Sequence, residues 1–180
     1  FGDGGAICTN NKELCNKIQK IRNNGSIEKY KHEIFGRNSR LDTFQASILD
    51  IKLTKLENNN EKRRKNAQLY HKYLRKISDI QLPHIEKGCI PVYHLFIVRA
   101  YKRDGLKKYL EEKNIGVGIH YPICISKLKC YDNYFEGEYQ IAEKNSKNIL
   151  SLPMFPDLTE DEIKYICECI IDFYIMDFPL

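Results

Sequence analysis

Apolar side chains recur at helical spacing over much of this chain, and the polar runs between them mark where elements stop. Ala6 to Thr9 reads as a short strand. Asn10-Asn11 turns it into a helix over residues 12–21, with Leu14, Ile18 and Ile21 on one face. Residues 23–35 are polar, contain Gly25 and group Lys31, His32 and Glu33, so they read as a loop; ordered loops of this length often carry function. From Ser39 a helical pattern runs to residue 77, loosened at Asn58-Asn59-Asn60, a poor helix-forming triplet. Ser39 and Asp42 have the spacing of a capping box. Leu41, Phe44, Ile48, Leu49, Ile51, Leu53 and Leu56 then cover more than one stripe, which requires burial on more than one side. The stripe that follows, Ala67, Tyr70, Leu74 and Ile77, is narrower and suits a helix packed on one face.

Pro83 and Pro91 bracket a loop around Gly88, after which residues 92–99 alternate in strand fashion. Residues 102–113 form an amphipathic helix with Leu106, Tyr109 and Leu110 inward. A strand over 117–121 is stopped by Pro122. A loop rich in Tyr and Asp leads to a helix over 139–150. Thr159 and Glu162 form a second capping box, opening a last helix with Ile163, Ile166, Cys167, Ile170 and Ile171 inward. Length alone suggests one domain, and the order of elements suits a small α/β layer architecture.

Composition narrows the function classes. An apolar fraction of 42% excludes a wholly disordered chain. A net charge of +5 raises the question of nucleic acid, but the lysines are scattered among Glu, Asp and Asn. The one dense run, Glu61-Lys62-Arg63-Arg64-Lys65, reads as a solvated helix face, so no nucleic-acid partner is expected. A modest positive surface also suits an anionic small molecule. Seven cysteines make no zinc-like double pair; they read as reduced thiols, with Cys8 and Cys167 as small core residues and no metal site. No signal peptide and no apolar run long enough to span a bilayer are visible, so a cytoplasmic protein without a membrane partner is expected.

The candidate chemistry concentrates in Gly36-Arg37-Asn38-Ser39-Arg40-Leu41-Asp42, ahead of the long helix. Asn38 and Arg40 flank the cap, where free amides and the positive end of the helix dipole favour an anion. Arg40 has two readings, phosphate contact or an ion pair with Asp42. His120 and Tyr121 stand beside Pro122 at a strand end, where side chains reach a cleft; His94, inside a strand, reads as structural.

Six stretches can be set in register: Phe1-Gly2-Asp3-Gly4-Gly5-Ala6-Ile7-Cys8-Thr9, Arg22-Asn23-Asn24-Gly25-Ser26, the run from Gly36 to Ala46, Tyr93-His94-Leu95-Phe96, Gly116-Val117-Gly118-Ile119-His120-Tyr121-Pro122, and Leu150-Ser151-Leu152-Pro153-Met154-Phe155-Pro156. In this order the set resembles the sugar-nucleotide aminotransferases of the DegT/StrS family, which use pyridoxal phosphate on the aspartate-aminotransferase fold. The resemblance implies an α/β fold, the C-terminal portion of a fold-type I pyridoxal-phosphate transferase. Residues 1–57 would be the end of the large cofactor-binding domain with the start of the long helix, and 58–180 the small C-terminal domain. The Schiff-base lysine lies just upstream of the Gly-rich turn in such enzymes, so it would precede Phe1. This chain would then supply no catalytic residue and be inactive alone.

The same resemblance implies that Asn38 reaches across a homodimer with shared active sites to the phosphate of the cofactor. It implies that Gly4 and Gly5, with Gly2, let the backbone pass close to that cofactor, and that Arg40, His120 and Tyr121 contact substrate. The implied reaction is transamination of a nucleotide-linked keto-sugar with glutamate as donor, in amino-sugar, polysaccharide or glycan biosynthesis. Two alternatives stand beside it: a family dehydratase with histidine in place of the lysine, and a non-catalytic dimerisation or binding domain.

Overall fold

A computed structural model of the chain describes residues 4–131 and 133–177; Gly2 and Asp3 of the Gly-rich turn lie outside them. The chain divides into two units, residues 1–56 and 57–180. Their construction differs in kind.

The first unit holds two helices, α1 (Lys12–Arg22) and α2 (Thr43–Leu53), joined by a long loop. Asn11 caps α1, its side chain accepting from the Leu14 amide at 3.0 Å, so the expected helix is present with its start and end nearly unchanged. The expected strand over residues 6–9 is absent: among the described residues this segment finds no partner to satisfy a ladder, and Cys8 is exposed instead of in a core. The apolar stripes of both helices are likewise uncovered. Phe44 is 69% exposed, Ile51 65% and Leu53 65%, and among the described residues of the unit only Gly25 and Ser26 are buried.

The second unit is built on a three-stranded antiparallel sheet, β1 (Ile80–Gln81), β2 (Phe96–Ala100) and β3 (Ile149–Leu152), in that order. Strand alternation decides its two faces. Phe96, Val98 and Ala100 are buried on one face, and the register sets Phe96 opposite Leu152, Val98 opposite Leu150, and Ile80 opposite Ala100. Three helices contribute to that core: α3 (Leu56–Leu74) through Ala67, Tyr70 and Leu74, α4 (Arg103–Glu112) through Leu106 and Leu110, and α6 (Glu160–Asp177) through Ile163, Ile166, Cys167 and Ile170. Each fully buried aliphatic or aromatic side chain here contributes about 1.5–3 kcal/mol relative to exposure. The fifth helix, α5 (Gln140–Asn148), lies against β2.

Polar groups at the margins of this core are satisfied. Tyr70 Oη donates to the Pro153 carbonyl at 2.8 Å beneath a stacked Phe96 ring, and burial pushes the Tyr70 hydroxyl far above the usual phenol range. Asn66 Nδ2 donates to the Phe155 carbonyl, Arg103 Nη1 to that of Ile149, and Tyr174 Oη to that of Tyr101. Burial holds the Cys167 thiol up at about 12, so it is an inert core residue.

Several expected elements are corrected. The long helix breaks at Thr54–Lys55, between α2 and α3, and the Asn58-Asn59-Asn60 triplet is helical, its weak propensity overridden by the helix around it. Arg63 leaves the solvated face expected of its charged run and donates to the carbonyls of Tyr93, His94 and Met154. The helix expected to reach residue 150 ends at Asn148, because Leu150 and Leu152 pair with β2 as a strand. The strand expected at 117–121 is reduced to a single bridge between Gly118 and Ser151. His94 sits in the turn before β2, exposed.

The second capping box forms as expected. Glu162 accepts from the Thr159 amide and hydroxyl, both at 2.8 Å, while the Glu162 amide donates back to Thr159 Oγ1 at 3.3 Å. These bonds, the Thr159 amide first, hold the Glu162 carboxyl below its ordinary range. A carboxyl depressed in the folded state contributes stability above its unfolded value and loses it as pH falls through the folded one. Thr159→Ala should therefore lower the melting temperature at neutral pH, and the difference from wild type should shrink as pH falls through the carboxylate range. Thermal melts followed at 222 nm across that range check this; a difference that persists undiminished in acid would contradict it.

Candidate functional site

The anchor segment around Asn38 is positioned by the C-terminal end of α1. Asn38 forms an antiparallel bridge with Asn23. The Asn24 amide donates to the Arg37 carbonyl at 3.1 Å, the Arg37 amide to the Ile21 carbonyl at 2.8 Å, and the Ser39 amide to the Arg22 carbonyl at 2.9 Å. Residues 37–39 are thus fastened to the last turn of a helix. Asn23 closes the arrangement, its Nδ2 donating to the Ser26 carbonyl and its Oδ1 accepting from Arg40 Nη2 at 2.8 Å.

Two glycines make this close approach sterically possible. Gly25 has φ +82°, and a Cβ there would fall 1.6 Å from the Ile34 carbonyl oxygen; a Cβ on Gly36 would fall 2.2 Å from the Gly25 amide nitrogen. The charged residues around the loop pair locally: His32 Nδ1 meets the Asn24 carbonyl at 2.9 Å, Lys20 pairs with Glu33, and Lys31 with Glu28. The loop is a folded platform.

On that platform the Asn38 side chain is exposed and makes no hydrogen bond among the described residues. Its amide donors are free. Arg40 pairs with Asn23 and not with Asp42: its Nη2 donates to Asn23 Oδ1, and among the described residues it meets no carboxylate. The capping box of Ser39 and Asp42 does not form. Asp42 occupies the cap position of α2 without a side-chain bond, and Ser39, drawn into extended pairing with Arg22, lies outside the helix.

Gly4 and Gly5 separate in the structure. A Cβ on Gly4 would meet Leu41 Cδ1 at 2.9 Å, the movable end of an exposed side chain, whereas Gly5 faces open space. The free amide of Asn38 and the unobstructed backbone at Gly5 fit the phosphate end of a cofactor.

In the second unit the bridge of Gly118 to Ser151 carries the other candidate residues. Two backbone bonds join them, Ser151 amide to Gly118 carbonyl at 2.7 Å and the reverse at 3.1 Å. Side chains of such a pair stand on the same face. Gly118 has none, and the half-buried His120 ring lies back over it: a Cβ on Gly118 would meet His120 Cε1 at 2.8 Å. His120 Nδ1 is 2.9 Å from Ser151 Oγ. The adjoining Tyr121 is 73% exposed, its ring edge-on to the imidazole at 5.5 Å between centroids. Ser151, Gly118, Asn23, Gly25 and Gly36 were not singled out from the sequence as supports. Their signal was present in the Gly-x-Gly spacing and the Asn-Asn-Gly run, but the partners that give it meaning are distant in the chain.

The sequence profile of the DegT/DnrJ/EryC1/StrS aminotransferase family matches residues 1–171. The chain therefore belongs to this family, and its α/β architecture is that of the C-terminal portion of a fold-type I pyridoxal-phosphate transferase. It is 41% identical over 178 residues to a "Pleiotropic regulatory protein" of Geobacillus stearothermophilus, covering 97% of this chain and 48% of that one. It is 39% identical over 167 residues to the dTDP-3-amino-3,6-dideoxy-alpha-D-galactopyranose transaminase of Aneurinibacillus thermoaerophilus, covering 93% and 46%. Among solved structures, DesV of S. venezuelae in complex with a ketimine intermediate superposes with a TM-score of 0.85 at 34% identity, covering 92% of this chain and 45% of that one. The chain thus spans about half the length of the curated relatives it matches. Among the described residues no helix is long and apolar enough to cross a membrane.

Gly25→Ala should disrupt the anchor platform without touching the sheet of the second unit, because the clash is with backbone and the φ is unfavourable to any side chain. Limited proteolysis should cut within residues 23–38 faster than in wild type, while the second unit survives as a resistant fragment. Equal cleavage rates in the two proteins would show that the platform does not depend on this approach.

Proposed function

We propose that this chain is part of a pyridoxal-phosphate-dependent aminotransferase acting on a nucleotide-linked keto-sugar, with glutamate as amino donor, in amino-sugar or polysaccharide biosynthesis. The amino group leaves glutamate, which becomes 2-oxoglutarate, and replaces the keto oxygen of the sugar. The observation that carries the reading is the family match across residues 1–171, which includes the anchor run and both segments that meet at Ser151. The activity for which the Aneurinibacillus relative is named, transamination of a dTDP-linked sugar, favours amino transfer over dehydration.

In this reading the bound cofactor supplies the electron sink for moving the amino group. Asn38 holds its phosphate with neutral amide donors, in the active site of the other subunit of a homodimer. Arg40, steadied by Asn23, points its remaining donors at an anionic part of the substrate, and His120 with Tyr121 lines the sugar pocket. The apolar stripe of α2 is the surface that becomes buried in the whole enzyme. The lysine that bonds the cofactor is supplied by the rest of the enzyme.

Pyridoxal phosphate added to this chain and reduced with borohydride should give no stoichiometric adduct on any single lysine; one lysine labelled to completion would overturn the assignment. In the longer polypeptide, Asn38→Ala should weaken cofactor retention about tenfold or more while leaving the fold intact, since a bond to a charged group is worth roughly 1.5–3 kcal/mol. Mixing Asn38→Ala subunits with subunits lacking the lysine should restore some activity, because both lesions then fall in one of the two sites. Proven heterodimers without recovery would rule out action across the interface.

A further inference from the structure

We propose that Ser151 fixes the tautomer of His120, so that His120 presents a hydrogen-bond donor, Nε2–H, to an oxygen acceptor of the substrate and does not serve as a base. The proposal deepens the reading above and rests on it only for the identity of the substrate.

The argument begins with burial. Ser151 is 4% exposed, and its backbone amide and carbonyl are both occupied by Gly118. Among the described residues its hydroxyl has one hydrogen-bonding neighbour, His120 Nδ1 at 2.9 Å. A hydroxyl carries one donor hydrogen and two acceptor lone pairs. If Nδ1–H donated to Ser151, the hydroxyl hydrogen would be buried with no acceptor and would lose its hydration uncompensated. If Ser151 donates to a bare Nδ1, that hydrogen is satisfied and no donor is stranded. The second arrangement places the imidazole hydrogen on Nε2.

Geometry then fixes where that hydrogen is held. The absent side chain of Gly118 gives the ring its bed, Ser151 pins one edge, and Tyr121 stands edge-on beside it. The ring is held on two sides by groups from separate stretches, residues 118–121 and β3. A neutral imidazole held this way offers a donor of fixed direction. What it recognises is an oxygen with a lone pair, such as a diphosphate, hydroxyl or keto oxygen of a nucleotide-linked sugar. Ser151 is a positioning residue that acts through His120.

The chain carries five histidines, so labelling them with 15N and removing His120 in a His120→Gln control assigns its two nitrogens. At about pH 9, above the range of an ordinary imidazole, long-range 1H–15N correlation distinguishes a bare nitrogen from a protonated one. The expected result is a bare Nδ1 and a protonated Nε2, with the tautomer ratio relaxing by about three- to tenfold in Ser151→Ala, as loss of one neutral hydrogen bond allows. Alanine is small enough to keep the strand, and retention of the β2–β3 cross-strand contacts verifies it. A protonated Nδ1 in wild type, or a ratio unchanged in Ser151→Ala, overturns the proposal.

In the longer polypeptide, which completes the site, titration with UDP-N-acetylglucosamine and, separately, uridine diphosphate tests the substrate reading by a second readout. A shift of the His120 Nε2 signal with both probes assigns the acceptor to the diphosphate, and a shift with the sugar nucleotide alone assigns it to the sugar. With the tautomer as expected and neither probe moving Nε2, the donor assignment stands and the substrate reading fails.

Discussion

The register of β3 against its two neighbours governs the second unit. With Leu150 and Leu152 opposite Val98 and Phe96, every second residue of β3 enters the core, and Ser151 is turned to the other face. A slip of one residue would exchange the faces, sending a hydroxyl into the core and two leucines out of it. The same register leaves the Ser151 backbone free on its outer edge, where Gly118 pairs with it. Packing of the core and placement of His120 are consequently one constraint expressed on two faces of one strand.

The first unit rests on a different balance. Its loop is closed by backbone bonds, by the Asn23 amide and by two glycines whose neighbours leave no room for a side chain. A net hydrogen bond contributes about 0.5–1.5 kcal/mol, whereas ordering one residue costs about 1–2 kcal/mol. Stitching of this kind cannot hold a unit in which no apolar side chain of the described residues is buried. The exposed faces of α1 and α2 are therefore surfaces that need cover from outside the unit, which agrees with a chain half the length of its relatives.

Both candidate sites share a design in spite of this difference. In each, a backbone bridge between distant segments carries the residue of interest, and a glycine makes the approach possible: Asn23 with Asn38 beside Gly25 and Gly36, and Gly118 with Ser151 beneath His120. Each leaves a side chain with hydrogen-bonding capacity directed away from its support. Neutral donors of this kind bind oxygen anions without adding charge to the protein, which suits substrates and cofactors that carry phosphate.

What the sequence determined by itself was local: α1, α4 and α6 with the Thr159–Glu162 cap, and the motif order that places the chain in its family. Periodicity and capping act within a few residues, so they are legible along the chain. Tertiary structure decided the rest. Leu150 ends a helical pattern until β2 claims it as a strand, and Ser39 has the spacing of a cap until its amide is bound by the Arg22 carbonyl beside the bridge of Asn23 with Asn38. Arg63 reads as one charge among several until three carbonyls from two other segments converge on it. His120 is a lone histidine in the sequence; the hydroxyl that orients it stands thirty-one residues away. Only the pairing of β3 with its neighbours brings the two within a hydrogen bond, because register is set by contacts between segments and leaves no mark on either alone.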